Sequence, residues 1–272
     1  MTLRGVTAVI GVERAKLSAQ IKVRLVLAAC FAGPFVFAAA MRVQSSTPDD
    51  TLFGRAVNES GFALPLVVLG FTAFWALPVV ASIVAGDVFA AEDRHGTWKL
   101  LLTRSRTRSE VFAGKVAAAL AFSSIALLVT AASSVAAGLI FVGFEPLVSL
   151  SGALLQPSQA MTRVVLAWAS VLPPLSGISA VAMALSVVTR NSAAAIGLPV
   201  VAALTMQLCA LIDGPALTHR LLITSAFGAW HGLLAEPAYY GPVRQGTLIS
   251  GIYFAVGLAI AYRALDRRDI AG

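Results

Sequence analysis

The stretch Val116–Ile140, VAAALAFSSIALLVTAASSVAAGLI, consists of apolar, small and hydroxyl-bearing residues and carries no charge. A helix needs about 20 consecutive apolar residues to cross the hydrocarbon core of a bilayer. This stretch is long enough, and it would bury no charged side chain in lipid. It therefore predicts a transmembrane helix, and it places the chain among integral membrane proteins rather than soluble enzymes.

Five more apolar blocks flank this one, so the sequence predicts an all-α, polytopic membrane protein with six transmembrane helices. The composition agrees, because 58% of the residues are apolar and 12% are charged, against about 25% charged in soluble domains. The whole chain is predicted to be a single transmembrane domain. Its predicted spans are residues 25–41, 62–84, 116–140, 164–188, 193–212 and 246–262.

The distribution of positive charge predicts the orientation. Fifteen of the 20 Lys and Arg residues lie before the first span, between the second and third, between the fourth and fifth, or after the sixth. Cytoplasmic loops carry the excess of Lys and Arg, so both termini are expected in the cytoplasm. The net charge of +7 is then explained by attraction to anionic lipid, and nucleic-acid binding is not expected.

The N-terminal 24 residues are expected to stay attached and to lie on the membrane. A cleaved signal peptide ending near Ala40 is the alternative, but about 24 mostly polar or mixed residues before the apolar core is long for a signal sequence. Residues 3–22 place Val6, Ile10 and Leu17 near one helical face. This predicts a helix in the cytoplasmic interface, with a disordered basic tail as the alternative.

The loop 213–245 is the longest on the outer side. Within it, Leu221–Ala235 is apolar but only about 15 residues long, which is too short to span the bilayer. The sequence predicts either a re-entrant or an interfacial helix there, anchored by Trp230.

Residues 85–115, which we call the polar loop, differ in composition from the rest of the chain. They include AEDRHGTWKLLLTRSRTRSEVFAGK, residues 91–115. Gly96 permits a tight turn, Thr97 is suited to cap a following helix, and Trp98, Leu101 and Leu102 give that helix an apolar side that could dock on a partner. A basic cluster where the chain returns to the membrane is expected to meet lipid phosphates; its members are Arg104, Arg106, Arg108 and Lys115.

The polar loop resembles the corresponding segment of type-2, export-type ABC transporter permeases. The matching positions are Glu92, Gly96-Thr97, Leu101-Leu102, Thr107-Arg108 and Gly114-Lys115, while Ser105 stands where the family usually has Pro. The predicted topology is also similar to that of the family: an N-terminal interfacial helix, six spans, both ends inside and a large last outer loop.

The resemblance implies a division of labour between chains. Two permease subunits, identical or homologous, would form the path in a bacterial plasma membrane, and separate cytoplasmic ABC ATPase subunits would bind ATP and Mg²⁺. No cofactor is expected in this chain, and Gly114-Lys115 lacks the rest of a phosphate-binding P-loop. The resemblance assigns the contact with the ATPase to Glu92, Asp93, Gly96, Thr97, Trp98, Leu101 and Leu102.

Two other classes of function remain open from the residues alone: a stand-alone secondary transporter or channel, and a non-transporting membrane scaffold. Ion-coupled carriers usually need an ionisable group near the midplane, and the predicted spans nearly lack one. Asp87, at the end of the second span, is interpreted as a solvated helix-end residue. Catalytic motifs and a metal-binding pattern around Cys30 and Cys209 are missing from the sequence.

Overall fold

The computed structural model describes residues 3–43, 51–98, 101, 107–210, 212 and 221–268. The described chain is almost entirely helical. Its helices are α1 (Leu3–Ala19), α2 (Ile21–Val43), α3 (Ala63–Ala73), α4 (Ala76–Ala85), α5 (Ala90–Arg94), α6 (Arg108–Phe141), α7 (Pro157–Ala169), α8 (Leu172–Thr189), α9 (Ser192–Cys209), α10 (Ile223–Ala226) and α11 (Gly241–Asp266). Two 3-10 turns, Arg55–Asn58 and Ala229–Leu234, and a short hairpin of β1 (Leu147–Val148) and β2 (Leu154–Leu155) complete it.

The prediction of an all-α polytopic membrane protein is confirmed. Within the described residues, five helical stretches are long and apolar enough to cross a bilayer, and a bent helix pair raises the number to six if it forms one span. The five are α2, α6, α7 with α8, α9 and α11, and the bent pair is α3 with α4.

The break between α3 and α4 bends the chain by 58°. Pro78 lies in the first turn of α4, and because proline has no N–H it cannot bond the carbonyl of Phe74 one turn earlier. Trp75, at the break, has a non-helical φ of −137°. The second predicted span is therefore two short helices rather than one straight one.

Proline has a different effect in α2, which continues through Pro34. The missing N–H would leave the carbonyl of Cys30 without its helical donor. The hydroxyl of Ser133 on α6 donates to that carbonyl at 3.2 Å. A neighbouring helix thus replaces the lost bond, as a span surrounded by hydrocarbon requires.

The helix α6 begins at Arg108, within the polar loop and ahead of the apolar block. Thr107 and Glu110 explain this start, because they form a capping box: the Glu110 N–H donates to the Thr107 hydroxyl at 3.2 Å, and the Thr107 N–H donates to the Glu110 carboxylate at 3.3 Å. The box satisfies two N–H groups that a helix start leaves unpaired. The first two turns of α6 consequently lie beside the polar loop.

Two apolar cores form at the two ends of the molecule. One lies by the polar loop and includes Phe89, Trp98 and Val111. The other lies at the opposite end, which we call the far end, and includes Phe62 and Trp230. The far end also carries the β hairpin and the α10 region, joined where the N–H of Leu150 donates to the carbonyl of Leu234 at 3.0 Å.

The segment Leu221–Ala235 and the N-terminal helix are packed differently from the prediction. The segment Leu221–Ala235 forms the short α10 and a 3-10 turn, and Trp230 is buried in the core, so its ring does not anchor the segment in the membrane interface. The predicted N-terminal helix is present as α1, but its buried face carries Gly5, Val9 and Glu13. That face packs on α6: a Cβ added at Gly114 would lie 2.4 Å from Val9 Cγ1.

Candidate functional site

The side chain of Lys115 is completely buried beneath the polar loop. Its ammonium donates to Glu13 Oε1 at 2.9 Å, to Glu92 Oε1 at 2.8 Å and to the carbonyl of Val88 at 2.9 Å. A buried ammonium is costly unless it is paired and its hydrogens are accepted, and here three acceptors serve its three hydrogens. The residue therefore ties together α1, the polar loop and α6.

Lys16 completes a cluster that we call the Glu92 network: Glu13, Lys16, Glu92 and Lys115. Lys16 Nζ lies 2.7 Å from Glu92 Oε1 and 3.3 Å from Glu13 Oε1. The Thr97 hydroxyl donates to the other carboxylate oxygen of Glu92. Two carboxylates face two ammonium groups, so the network carries no net charge.

The network shifts the pKa values of Glu92 and Lys16. Burial raises the pKa of Glu92, but the charge of Lys115 and hydrogen bonds from Lys115, Lys16 and Thr97 outweigh it and lower the pKa to about 2. Burial lowers the pKa of Lys16, and the hydrogen bond to Glu92 together with the charges of Glu13 and Glu92 raises it overall. Both groups are held in their charged forms at neutral pH.

Trp98 packs inward, against the expectation that its ring forms a docking face for a partner. It is 7% exposed, and its ring stacks on that of Phe89 with centroids 6.4 Å apart and planes 9° apart. The indole N–H donates to Asp93 Oδ1 at 3.0 Å, and the Arg268 guanidinium bonds the same oxygen. Arg268 also lies 5.7 Å from the Trp98 ring centroid, within the range of a cation–π contact.

Asp87 is not the solvated helix-end residue expected from the sequence, because it is 5% exposed. Its carboxylate accepts hydrogen bonds from Lys22, from Arg94 at 3.2 Å and from the Ser192 hydroxyl at 2.6 Å. Burial raises the pKa of Asp87, but the hydrogen bonds of Lys22 and Ser192 and the charges of Lys22 and Arg94 lower it overall. This second cluster joins the polar loop to the starts of α2 and α9.

At the solvent-facing tip of the polar loop, Arg94, His95 and Gly96 are exposed. Gly96 has φ of +64°, a left-handed conformation that glycine adopts without a steric penalty, as the predicted turn requires. The hydroxyl of Thr97 donates to Glu92, and the Thr97 carbonyl accepts from the Leu101 N–H at 3.1 Å. The N–H groups that Thr97 is predicted to cap lie outside the described residues. Leu101 itself is half-buried.

The structure describes only part of the predicted basic cluster. Arg108 donates to the carbonyls of Leu265 and Asp266 at the end of α11, and Arg104 and Arg106 lie outside the described residues. Leu102, from the predicted contact with the ATPase, also lies outside them. Lys115 does not belong to a cluster that meets lipid phosphates, because its side chain has no exposed surface and is bonded to Glu13 and Glu92.

Sequence reasoning missed several members of the site, namely Glu13, Lys16, Lys22, Ser192 and Arg268. A signal was available for Lys115: a lysine followed at once by an apolar block demands a buried acceptor or a route to water. Its chain neighbours supply neither, so a distant carboxylate had to be sought. Within the described part of the chain, no group of three or more His, Cys, Asp or Glu residues could hold a metal ion.

Comparison with known families agrees with the fold and with the polar loop. The family model described as "ABC-2 family transporter protein" matches residues 9–206, which include most of α1, the polar loop and most of the spans. A search of curated proteins gives no significant match. The resemblance inferred from the polar loop is confirmed, and the chain belongs to the ABC-2 transporter family as a multi-pass membrane permease.

Proposed function

We propose that this chain is the membrane-spanning subunit of an ATP-driven exporter and that its polar loop couples it to a separate cytoplasmic ATPase. Both termini then lie in the cytoplasm, and the membrane is a bacterial plasma membrane. The observation that carries the proposal is the Glu92 network. It bonds the loop to α1 and to α6 through a buried lysine, so a force on the loop reaches the spans.

The two faces of the loop have different tasks in this proposal. The exposed residues Arg94, His95 and Gly96 offer a surface to the ATPase. The buried side of the loop is held by contacts within the chain: Glu92 pairs with Lys115, and the Trp98 ring stacks on Phe89. Removing one partner from a buried ion pair costs about 3–5 kcal/mol, so the loop and α6 are expected to move together when ATP binding closes the ATPase.

A second permease subunit, identical or homologous, completes the path. In the single chain, α2 and α9 leave most of their apolar surface uncovered. Exposed large side chains lie along both helices, among them Phe31, Val36, Val201 and Leu208. In a monomer, lipid would cover these apolar surfaces. In a path built from two subunits, the second subunit would pack against part of them.

Co-purification with an ABC ATPase subunit from the same genome tests the proposal. In His95→Trp, a bulky ring at the exposed tip of the loop should weaken the complex and abolish permease-dependent ATP hydrolysis. The control Arg244→Trp places the same ring at an exposed position of α11 near the far end and should leave both unchanged. A His95→Trp chain that keeps the complex and the hydrolysis would refute the docking assignment.

A further inference from the structure

A cavity of about 570 Å³ opens at the far end, away from the polar loop. It lies between the β hairpin, the start of α7 and residues 236–240. Its lining is half polar and half apolar, and it includes Leu154, Ser158, Arg163, Leu166, Glu236 and Tyr240.

The cavity belongs to the opposite side of the membrane from the Glu92 network. The stretch of α7 and α8 starts at the cavity and ends at Thr189, next to Ser192, which bonds Asp87 of the polar loop. From Arg163 to Arg190 this stretch would measure about 40 Å at the helical rise of 1.5 Å per residue. No residue of the cavity takes part in the proposed contact with the ATPase.

The polar half of the cavity contains an incompletely bonded ion pair. Arg163 NH2 lies 3.2 Å from Glu236 Oε2, and the Arg163 side chain is 17% exposed. Among the described residues this is the one polar contact of either side chain. A guanidinium has five N–H donors, so Arg163 keeps donors for an anion and Glu236 keeps an acceptor oxygen for a cation.

The start of α7 adds to the site for an anion. Ser158 and Gln159 lie in its first turn and line the cavity. Pro157 has no N–H, and the Gln159 N–H bonds the Gln156 side chain in a capping box. The Ser158 N–H is therefore the first-turn donor that remains for a ligand, and the helix dipole places partial positive charge beside it. Anionic preference is therefore expected between this turn and Arg163, and cationic preference is expected beside Glu236.

The apolar half points to a ligand with a hydrocarbon part. Leu166 lies one helical turn beyond Arg163, further along α7 towards the membrane interior, and it is partly exposed beside the cavity. Leu154 is largely exposed on the opposite wall. An acyl chain could leave the polar half along these side chains and continue into the bilayer.

We propose that this cavity binds the headgroup of a zwitterionic amphiphile, with its anionic group on Arg163 and its cationic group on Glu236. The proposal does not depend on the function proposed for the polar loop. The same headgroup chemistry could come from a membrane phospholipid or from a small soluble zwitterion, and the experiment distinguishes them.

The test is a calorimetric titration of the full chain in a non-ionic detergent with three probes. These are dioctanoyl phosphatidylethanolamine, the purely anionic dioctanoyl phosphatidylglycerol, and soluble phosphoethanolamine. We expect the first to bind at least tenfold more tightly than the second. Phosphoethanolamine binding as tightly as the lipid would assign the site to soluble zwitterions. Equal binding of the two lipids, or no binding of either, would overturn the proposal.

Three variants locate the binding. Arg163→Gln and Glu236→Gln should each weaken phosphatidylethanolamine binding at least tenfold, and Ser158→Trp should do so by filling the cavity while the ion pair stays intact. The matched controls are Arg244→Gln and Glu145→Gln, which are exposed and do not line the cavity. Because Ser158→Trp keeps the ion pair, its unchanged binding would refute the proposal even if the other two variants were unstable.

Discussion

Lys115 brings a positive charge to a position where its side chain has no exposed surface. The charge is tolerated because Glu13 and Glu92 lie within 2.9 Å and the carbonyl of Val88 accepts the third hydrogen. Such an arrangement is less a source of stability than a constraint, since a buried ion pair roughly offsets its own desolvation. As a consequence, moving Lys115, Glu13 or Glu92 away from the others would leave a buried charge without its partner.

Lys115→Met tests this constraint. Methionine keeps most of the length of the side chain but leaves two buried carboxylates facing Lys16 alone. We expect a loss of about 3 kcal/mol in the free energy of unfolding, measured as a fall in Tm of the detergent-solubilised chain. Arg244→Met, at an exposed position, is the control. A Lys115→Met chain as stable as the wild type would show that the network does not hold the loop.

Glu92 gives a pH dependence with a definite sign. Its pKa is lowered from 4.5 to about 2 in the folded chain, so the unfolded state binds the proton first as the pH falls. The stabilisation is fully present above about pH 4.5 and is lost as the pH falls through 2. A shift of this size corresponds to about 3 kcal/mol.

Thermal unfolding of the wild type and of Glu92→Gln between pH 7 and pH 3 measures this contribution. The wild type should be the more stable at pH 7, and its advantage should shrink towards pH 3. The variant lacks the titrating group, so the difference between the two curves isolates Glu92. Parallel curves over the whole range would contradict the lowered pKa.

At the scale of elements, α1 is held against α6 by a close approach at Gly114. A Cβ there would lie 2.4 Å from Val9 Cγ1 and 2.6 Å from Val9 Cβ, so any side chain pushes α1 away. The approach lies one turn from Glu13, and separating the helices would lengthen the bond between Glu13 and Lys115.

Gly114→Ala should therefore destabilise the chain by about 1–3 kcal/mol, the usual cost of overpacking, and increase proteolysis of α1. The control Gly11→Ala lies on the open side of α1, where an added Cβ meets nothing within 4 Å. It should stabilise the helix by up to about 1 kcal/mol, because alanine is the better helix former. Equal effects of the two substitutions would show that α1 does not depend on this contact.

Ser133 allows a second test between elements. Ser133→Ala removes the hydroxyl that serves the carbonyl of Cys30, and the expected cost is about 1 kcal/mol. Ser134→Ala is the matched control, because Ser134 bonds the carbonyl of Ala131 within its own helix. Unfolding of both variants under the same conditions gives the difference. A loss no greater for Ser133→Ala than for its control would argue against the interhelical bond.

The elements also show which part of the fold could be predicted from sequence. Apolarity and length are local properties, and they predicted the spanning blocks. The outcome at a proline is not local: α2 continues through Pro34 with Ser133 from α6 as the replacement donor, whereas the chain breaks ahead of Pro78. Predicting the 58° bend would have required knowing the neighbouring helices.

The candidate site was predictable to the same limited extent. The resemblance of the polar loop to the permease family pointed to Glu92 and Lys115, but not to the contact between them. Their common partner Glu13 lies 102 residues from Lys115 along the chain, and nothing in the local sequence connects the two. Trp98 was predicted to face a partner, but it is buried. Sequence alone does not distinguish an apolar helix side that faces a partner from one that faces the chain's own core.

At the scale of the whole molecule, charged clusters join the polar loop to helices from distant parts of the chain. The Glu92 network joins it to α1 and α6, Asp87 joins it to α2 and α9, and Arg268 joins it to the end of α11. Ser186 on α8 also accepts from the N–H groups of Phe89 and Ala90. Within the described residues, all five single helical stretches long enough to span a membrane therefore have a polar bond to this loop or to its immediate flanks. A displacement of the loop is distributed over the bundle rather than passed to one helix.

This arrangement separates docking from transmission, and Glu13→Gln distinguishes the two. Glu13 is buried on α1, whereas His95 at the tip of the loop is exposed, so the complex with the ATPase should form normally. The bond from α1 to Lys115 is weakened, and permease-dependent ATP hydrolysis in the reconstituted complex should fall several-fold. Glu145→Gln, exposed and away from the network, should leave both readings unchanged. If Glu13→Gln instead loses the complex, α1 shapes the docking surface itself. If hydrolysis is unaffected, the network is a static support and the force must reach α6 by another route.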